Sequence, residues 1–307
     1  MQLSPLPAPP RTYAHAYAPV PTDMDRPYAS PHLQQLHGYY RQMRVCGFRA
    51  DRFLCGYIAG VAVLMLLSGL TQFALTDRLI DMRYILVSDH ALAQNFPAFT
   101  IAQETWLDIP IGPVIAYFSV MDGLFMAALA SLFYGFRPQI ERGLIWLIWV
   151  NYATTVPVMV SVIAQLCGAR NLGYHVLLGV TFQIMMLTGI VIQWDRYENT
   201  TSGLWPGKKI WSGPMRLLFF LHSVTFTVGW GSLLYYFFRA ADSSAPPAFV
   251  YVSVLGLLAL MLPFPLIMLL ELGAAMNMYA VTFMYVTASL VSKTVISWDL
   301  FIGAGAQ

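Results

Sequence analysis

Seven long runs of apolar residues follow one another along the chain and dominate its hydropathy pattern. They cover residues 53–75, 110–134, 143–166, 173–194, 215–238, 248–271 and 279–304. Each run is close to the roughly 20 residues that a helix needs to cross about 30 Å of hydrocarbon. Most connections between the runs are short, and short links place consecutive helices antiparallel. The pattern therefore predicts an all-α membrane protein, a seven-transmembrane-helix bundle surrounded by membrane lipid.

Two segments lie outside this pattern. Residues 1–45 are rich in Pro, Ala and Tyr and show no sustained apolar period, so we expect a flexible tail there. Residues 46–307 then form one domain, which contains the seven helices. A longer connection over about 76–109 carries five acidic residues, too many for a membrane span. We expect this connection to be a long loop outside the membrane.

The composition supports a membrane protein and excludes several other classes. Hydrophobic residues make up 58% of the chain and charged residues only 10%, which is far from the balance of a soluble globular domain. The net charge of +2 gives no indication of a nucleic-acid surface. Cys46, Cys55 and Cys167 have no CxxC spacing, so the sequence predicts neither a disulfide framework nor a metal site.

The distribution of Lys and Arg predicts the orientation in the membrane, because cytoplasmic flanks carry the excess of these residues. The tail and the connections on its side of the membrane hold 12 basic residues, and the opposite side holds four. We therefore expect a cytoplasmic N-terminus and, after seven crossings, an extracellular C-terminus. One basic residue belongs to neither group, and it is Lys293.

Lys293 lies near the middle of the last apolar run, within ASLVSKTVISWDLF. A charged lysine at the centre of a membrane costs on the order of 2.5–3.5 kcal/mol even on the lenient insertion scale, so such a residue indicates a function. An amine in an apolar pocket is suited to form a Schiff base with an aldehyde. A lysine paired only for structure, or one kept neutral by burial, is the alternative that the residues themselves leave open.

The sequence around Lys293 resembles the last helix of the heliorhodopsins. The similarity rests on Ser289-Leu-Val-Ser-Lys293 followed by Trp298 and Phe301, in which a serine precedes the lysine by one turn. Three further stretches are similar to the second, third and fifth helices of that family: IGPVIAYFSVMDGLF (111–125), WVNYATTVPVMVSVIAQLCG (149–168) and TVGWGSLLYY (227–236). The cytoplasmic N-terminus that the charges predict is also the inverted topology of that family.

The resemblance implies a photoreceptor and not an enzyme. It implies all-trans retinal bound covalently to Lys293 in the dark, with Ser289 beside the Schiff base. It also implies a homodimer. Four aromatic residues are candidates to enclose the chromophore, with Trp230 favoured by the similarity and simple packing as the alternative for each: Tyr152, Phe226, Trp230 and Trp298.

The third helix departs from the family pattern at the residue that should balance the charge of the Schiff base. Heliorhodopsins carry a glutamate there, in an R-W-x-E-Y context, whereas this chain reads Ile148-Trp149-Val150-Asn151-Tyr152. Asp122 stands in the second run where the family usually has a serine. An opposite charge within about 4–6 Å would keep a buried carboxylate ionised. We therefore predict Asp122 as a relocated counterion, with a protonated, structural Asp122 as the alternative.

Four other polar residues in the runs have less specific interpretations. Ser297 shares the helix face of Lys293, because it lies four residues further along. Asp299 is six residues beyond the lysine and is expected at the end of the helix, and a role as a second proton group is the alternative. Glu271 is interpreted as an interfacial charge and His222 as a packed neutral histidine.

The output of the receptor is the least determined property. One hypothesis is signalling, in which light changes the cytoplasmic face and a partner protein binds there. A second is a light-gated ion channel or light-driven proton transport, with Asp122 and Asp299 or Glu271 on the route. A third, a transporter that uses the lysine without a chromophore, predicts a colourless protein.

Overall fold

The structure is a computed structural model, and it describes residues 38–75, 81–87, 103–201, 213–244, 246–272 and 276–305. Within these ranges, seven helices are long and apolar enough to cross a membrane, as the hydropathy pattern predicts. They are α1 (Ala50–Ala74), α2 (Ile111–Ser131), α3 (Trp146–Leu166), α4 (Leu172–Thr201), α5 (Gly213–Ser244), α6 (Ala248–Leu272) and α7 (Met278–Gly305).

The helix ends define two sides of the bundle. We call the side on which α1 begins the N side, and the side on which α7 ends the C side. Successive helices alternate in direction, so α2, α4 and α6 run toward the N side. Helix α6 includes a π-helical stretch at Val252–Gly256, and a second irregularity at Leu262 precedes its last segment, Pro263–Leu272.

Smaller elements also lie outside the spans, and the hydropathy pattern indicates none of those described next. On the C side, the strands β3 (Asp81–Val87) and β4 (Gln103–Pro110) pair antiparallel within the long connection, and β4 leads into α2. On the N side, a short hairpin joins β1 (Arg44–Val45) to β2 (Phe48–Arg49) just before α1. A connecting helix, Phe133–Arg142, follows α2 and ends at Gly143, whose φ of +100° favours glycine.

The predicted tail, residues 1–45, lies outside the described residues as far as residue 37. From residue 38 the chain belongs to the folded domain, because Tyr40 is only 2% exposed and its ring packs against that of Tyr279 on α7. The backbone N–H of Met278 donates to the Tyr40 hydroxyl at 3.1 Å. Burial raises the pKa of Tyr40 to about 12. The described end of the expected tail, residues 38–45, therefore packs against the seven-helix domain at Tyr40.

A cluster of buried charges closes the N side of the bundle. Arg137 of the connecting helix contacts Asp51 at the start of α1 at 2.9 Å and Glu141 at 2.8 Å. The Tyr279 hydroxyl donates to Glu141 at 2.7 Å, so α7 joins the same cluster. Burial works against the charge of Arg137, but the two carboxylates outweigh it and hold the pKa of the guanidinium above its ordinary value. The cluster ties three segments together away from the membrane centre.

Candidate retinal-binding site

Lys293 occupies the middle of α7 and is 1% exposed. It lies 15 residues after the first residue of the helix, which is about 22 Å along its axis. Ser289 and Ser297 precede and follow it by four residues and are both fully buried, so this face of α7 points into the bundle. The helix thus holds the amine far from either surface.

The amine of Lys293 lies against the carboxylate of Asp122 on α2. Nζ is 2.5 Å from Asp122 Oδ1, and both side chains are buried. The same oxygen accepts a hydrogen bond from Ser289 Oγ at 3.1 Å and another from the Asn151 amide on α3. Asn151 Oδ1 in turn accepts from Lys293 Nζ at 3.3 Å. Three helices therefore meet at one carboxylate oxygen, whereas Asp122 Oδ2 has no hydrogen-bond partner.

Glycines explain how α2 brings Asp122 so close to the bundle centre. A Cβ added at Gly123 would lie 2.7 Å from Leu66 Cγ and 2.9 Å from the Leu66 backbone nitrogen. A Cβ at Gly69 of α1 would lie 2.9 Å from the Val120 nitrogen. Contacts this short to backbone leave no room for a side chain, so the absence of Cβ sets the approach of α1 and α2. Substitution at either position would shift Asp122 relative to Lys293.

A cavity lined mainly by apolar and aromatic side chains begins at Lys293. Five of the residues singled out from the sequence line it: Tyr152, His222, Phe226, Ser289 and Lys293. The Lys293 amine lies 5.3 Å from the centre of the Tyr152 ring. Further lining residues from α3, α4 and α6 were not expected from the sequence as a set, and they include Trp149, Met185, Met186, Met261, Phe264 and Pro265.

Two of the aromatic candidates do not line this cavity. Trp230 is buried and packs on Phe182 and Phe226, with ring centres 6.1 and 6.3 Å away. Trp298 donates from its indole nitrogen to Ser68 of α1 at 2.9 Å. Both arrangements agree with the alternative that these rings serve only to pack the helices. A contact of either ring with a chromophore stays a prediction. Trp149 takes a more central position, because Gly189 of α4 leaves space for its ring.

His222 lies on the wall of the cavity and is 2% exposed. Its Nδ1 is 2.9 Å from the Met185 carbonyl oxygen and 3.1 Å from Thr188 Oγ1. Because a carbonyl oxygen only accepts, Nδ1 carries a proton and donates to it. These contacts describe a packed histidine, as the sequence suggested.

The two acidic residues considered for a proton route have different surroundings. Glu271 lies one residue before the end of α6, is 2% exposed and pairs with Arg196 of α4 at 3.0 Å. Hydropathy alone does not reveal this buried pair, and the interpretation of Glu271 as an interfacial charge stays a prediction. Asp299 accepts a hydrogen bond from Ser253 of the π-helical stretch at 2.5 Å, and it makes no contact with Lys293.

The residues present fit the chemistry of retinal. The site offers a primary amine that opens into an apolar, aromatic cavity, and a carboxylate with one oxygen left unpartnered beside that amine. A lysine in such a pocket can bind an aldehyde covalently, and the carboxylate can balance the charge that results. Among the residues that the structure describes, no group of His, Cys, Asp and Glu is arranged to hold a metal ion.

Three solved structures share the fold. Cyanorhodopsin from the cyanobacterium Tolypothrix is 14% identical, with a TM-score of 0.58 over 84% of this chain and 96% of that one. A light-driven proton pump from Leptosphaeria maculans is 12% identical, with a TM-score of 0.60 over 83% of this chain and 96% of that one. A thermophilic rhodopsin from Rubrobacter xylanophilus is 15% identical, with a TM-score of 0.56 over 82% of this chain and 96% of that one. At these identities the similarity establishes the fold of microbial rhodopsins.

Sequence comparison adds the family. No curated protein sequence matches this chain significantly. The heliorhodopsin family profile, however, matches residues 54–304, which contain all seven helices except the first four residues of α1 and the last residue of α7, and the site around Lys293. The match and the rhodopsin fold agree with the motifs around Ser289 and Lys293. The chain therefore belongs to the heliorhodopsin family, an integral multi-pass membrane protein whose relatives support a retinal-binding photoreceptor.

Proposed function

We propose that this protein is a light receptor that carries all-trans retinal on Lys293 and uses Asp122 as the principal counterion. The single observation that carries the proposal is the 2.5 Å contact between a buried carboxylate and a buried lysine that lines an aromatic cavity. A buried ion pair in a membrane is costly to build, so it indicates a function. Membership of the heliorhodopsin family supports retinal as the ligand.

Each residue of the site has a distinct role in this proposal. Retinal, when bound, supplies the absorption of visible light and a change of double-bond geometry. Asp122 holds a positive charge on the Lys293 nitrogen, and its Oδ1 is fixed by Ser289 and Asn151. Asn151, which occupies the position of the heliorhodopsin glutamate, therefore orients the Asp122 carboxylate that takes over the role of that glutamate. Tyr152, Phe226 and neighbouring aromatic rings confine the ligand and exclude water from the cavity.

The proposed output is a signal passed to a cytoplasmic partner from the N side, with that side facing the cytoplasm. The charged cluster of Asp51, Arg137 and Glu141 supports this reading, because a rearranged cluster would change the N-side surface between α1, the connecting helix and α7. This cluster can switch with light only if the free-energy difference between its original and its rearranged form is no more than a few kcal/mol. A homodimer is proposed on the family resemblance alone.

Light-driven proton movement is the second candidate. The observation that favours it is an ionisable pair, Lys293 and Asp122, at mid-membrane with one carboxylate oxygen unpartnered. Glu271 is a weaker candidate for the route, because it is already paired with Arg196. Patch-clamp recording under illumination separates the two functions: a light-dependent current requires transport, and its absence with an intact photocycle supports signalling.

The proposal as a whole is tested by expression with all-trans retinal and absorption spectroscopy from acidic to alkaline pH. The full chain should give a visible band, and Lys293→Ala should give none while keeping the yield and the helical content. A matched control is Lys208→Ala, which removes a lysine outside the seven spans and should keep the colour. A colourless full chain would contradict the proposal and favour a transporter without a chromophore.

A further inference from the structure

Two buried polar atoms, one on α1 and one on α2, have no hydrogen-bond partner. One is Asp122 Oδ2 and the other is Nε2 of Gln72, whose side chain is fully buried. They are linked through Ser119, which donates to Gln72 Oε1 at 3.3 Å and lies three residues before Asp122 on α2. Three residues correspond to about 4.5 Å along the helix axis, roughly one turn. The two unpartnered atoms therefore belong to one small region.

The chemistry of the two atoms is complementary to a single water molecule. An amide N–H donates and a carboxylate oxygen accepts, so water can accept from Gln72 and donate to Asp122 at once. Buried polar groups are rarely left unpaired, because each one costs about 1–3 kcal/mol. Buried waters typically make about three hydrogen bonds to such groups. If the amide were turned over, an acceptor would remain unpartnered, and water could still donate to it.

The region around Gln72 and Ser119 lies on one side of Asp122 along the membrane normal. Gln72 lies two residues before the end of α1, so the region extends from Asp122 toward the C side. Toward the N side, the next buried residues of α1 and α2 are apolar: Met65, Ala62, Ile58, Met126 and Leu129. The next polar groups in that direction are Cys55, whose thiol bonds to the Ala130 carbonyl oxygen, and the buried Asp51 at the start of α1. The buried polar groups that adjoin Asp122 along this interface therefore lie on its C side.

We propose that Gln72, Ser119 and Asp122 bind a buried water molecule that connects the Lys293–Asp122 pair to the C side of the membrane. The water lets protons on the pair exchange with that side, while the apolar N-side half of the α1–α2 interface blocks exchange in the other direction. The water site itself depends only on residues of this chain. Its effect on proton exchange rests on the proposed function, because it presumes retinal on Lys293.

A competing route exists on α3 and α7. The Tyr152 hydroxyl donates to the Tyr285 carbonyl oxygen at 2.9 Å, and Tyr285 is fully buried one turn nearer the N side than Ser289. Protons leaving by this route would bypass Gln72. Tyr152→Phe removes the hydroxyl that donates to this carbonyl oxygen and leaves the ring, so it serves to distinguish the two directions.

The exchange test uses the full chain with retinal. Resonance Raman spectroscopy after rapid mixing with deuterium oxide measures how fast the nitrogen of Lys293 exchanges its proton. Gln72→Leu keeps the volume and removes the donor, and it should slow the exchange at least tenfold. Thr71→Val, on the same turn of α1 but bonded only to its own helix, should leave it unchanged. An unchanged rate in Gln72→Leu, or a slowing only in Tyr152→Phe, would overturn the role in exchange.

A second measurement does not need a chromophore. A structure of the full chain prepared without retinal, at a resolution that shows ordered water, should contain density within about 2.6–3.2 Å of both Gln72 Nε2 and Asp122 Oδ2. The density should vanish in Gln72→Leu and persist in Thr71→Val. If it is missing from the unsubstituted protein, the water site is wrong. Water without any pigment would instead contradict the proposed function, so the two failures are distinguishable.

Discussion

Asp122→Asn tests the counterion directly, because it removes one charge and almost no volume. In the structure the carboxylate oxygen is 2.5 Å from Lys293 Nζ. At this distance the Coulomb attraction is roughly 6–7 kcal/mol for an effective dielectric constant of about 20. Breaking a buried ion pair by removing one partner typically costs less, about 3–5 kcal/mol, because the surroundings relax. We take the smaller range as the expected loss.

That loss translates into a spectroscopic result. Each 1.4 kcal/mol changes a protonation equilibrium tenfold, so 3–5 kcal/mol corresponds to about two to four pH units. Purified Asp122→Asn with retinal should therefore absorb in the near ultraviolet at neutral pH. The visible band should return only when the pH is lowered by about that amount, or when an added anion takes the place of the carboxylate. Titration in sulfate and in chloride buffers distinguishes these two recoveries.

Two companion variants make the result specific to the position. Asn151→Asp places a carboxylate on the other side chain that contacts Lys293 Nζ, so it should partly restore the visible band in the Asp122→Asn background. Asp299→Asn is the matched control, since Asp299 bonds to Ser253 and not to the lysine. If Asp122→Asn keeps a visible pigment with an unchanged titration, Asp122 is not the counterion. Asp299 or a bound anion then becomes the candidate.

Three further predictions concern the attachment, the topology and the stability. Lys293→Arg keeps a positive charge but cannot bind an aldehyde, so it should be as colourless as Lys293→Ala; a visible band in Lys293→Arg would refute covalent attachment there. An epitope tag before residue 1 should be labelled only in permeabilised cells, since labelling of intact cells would contradict a cytoplasmic N-terminus. Arg137→Met removes the cation that Asp51 and Glu141 share, although Asp51 keeps its pair with Arg49 at 2.7 Å. It should lower the free energy of unfolding, measured by thermal denaturation, by about 3 kcal/mol. Arg44→Met on the exposed hairpin should change that free energy by less than about 0.5 kcal/mol.

Local properties of the sequence were sufficient to predict the membrane spans. Whether a run of residues can cross a bilayer depends on its length and hydropathy, which are independent of the other helices. All seven predicted runs correspond to helices, with ends that differ by up to seven residues. The importance of Lys293 followed in the same way, because a charge within an apolar run is unusual wherever the run packs.

The pairing of Asp122 with Lys293 was predictable only through the family. The two residues are 171 positions apart, and nothing in the hydropathy pattern joins them. The substitution of Asn151 for a family glutamate, together with an aspartate on the second helix, indicated that a carboxylate had moved. The contact in the structure agrees with this reading, and the role of Asp122 as counterion stays a prediction until the spectra are measured.

The tertiary structure alone decided which polar groups face one another. Glu271 near the end of α6 is buried against Arg196, and Arg137 forms a buried cluster with Glu141; no sequence motif indicates either pairing. Gln72 appears in the sequence as an ordinary residue near the end of a span, yet packing against α2 leaves its amide buried and one atom unpartnered. Hydropathy reports how much of a helix prefers lipid, whereas these contacts depend on the rotation and close approach of neighbouring helices, which glycines such as Gly123 permit.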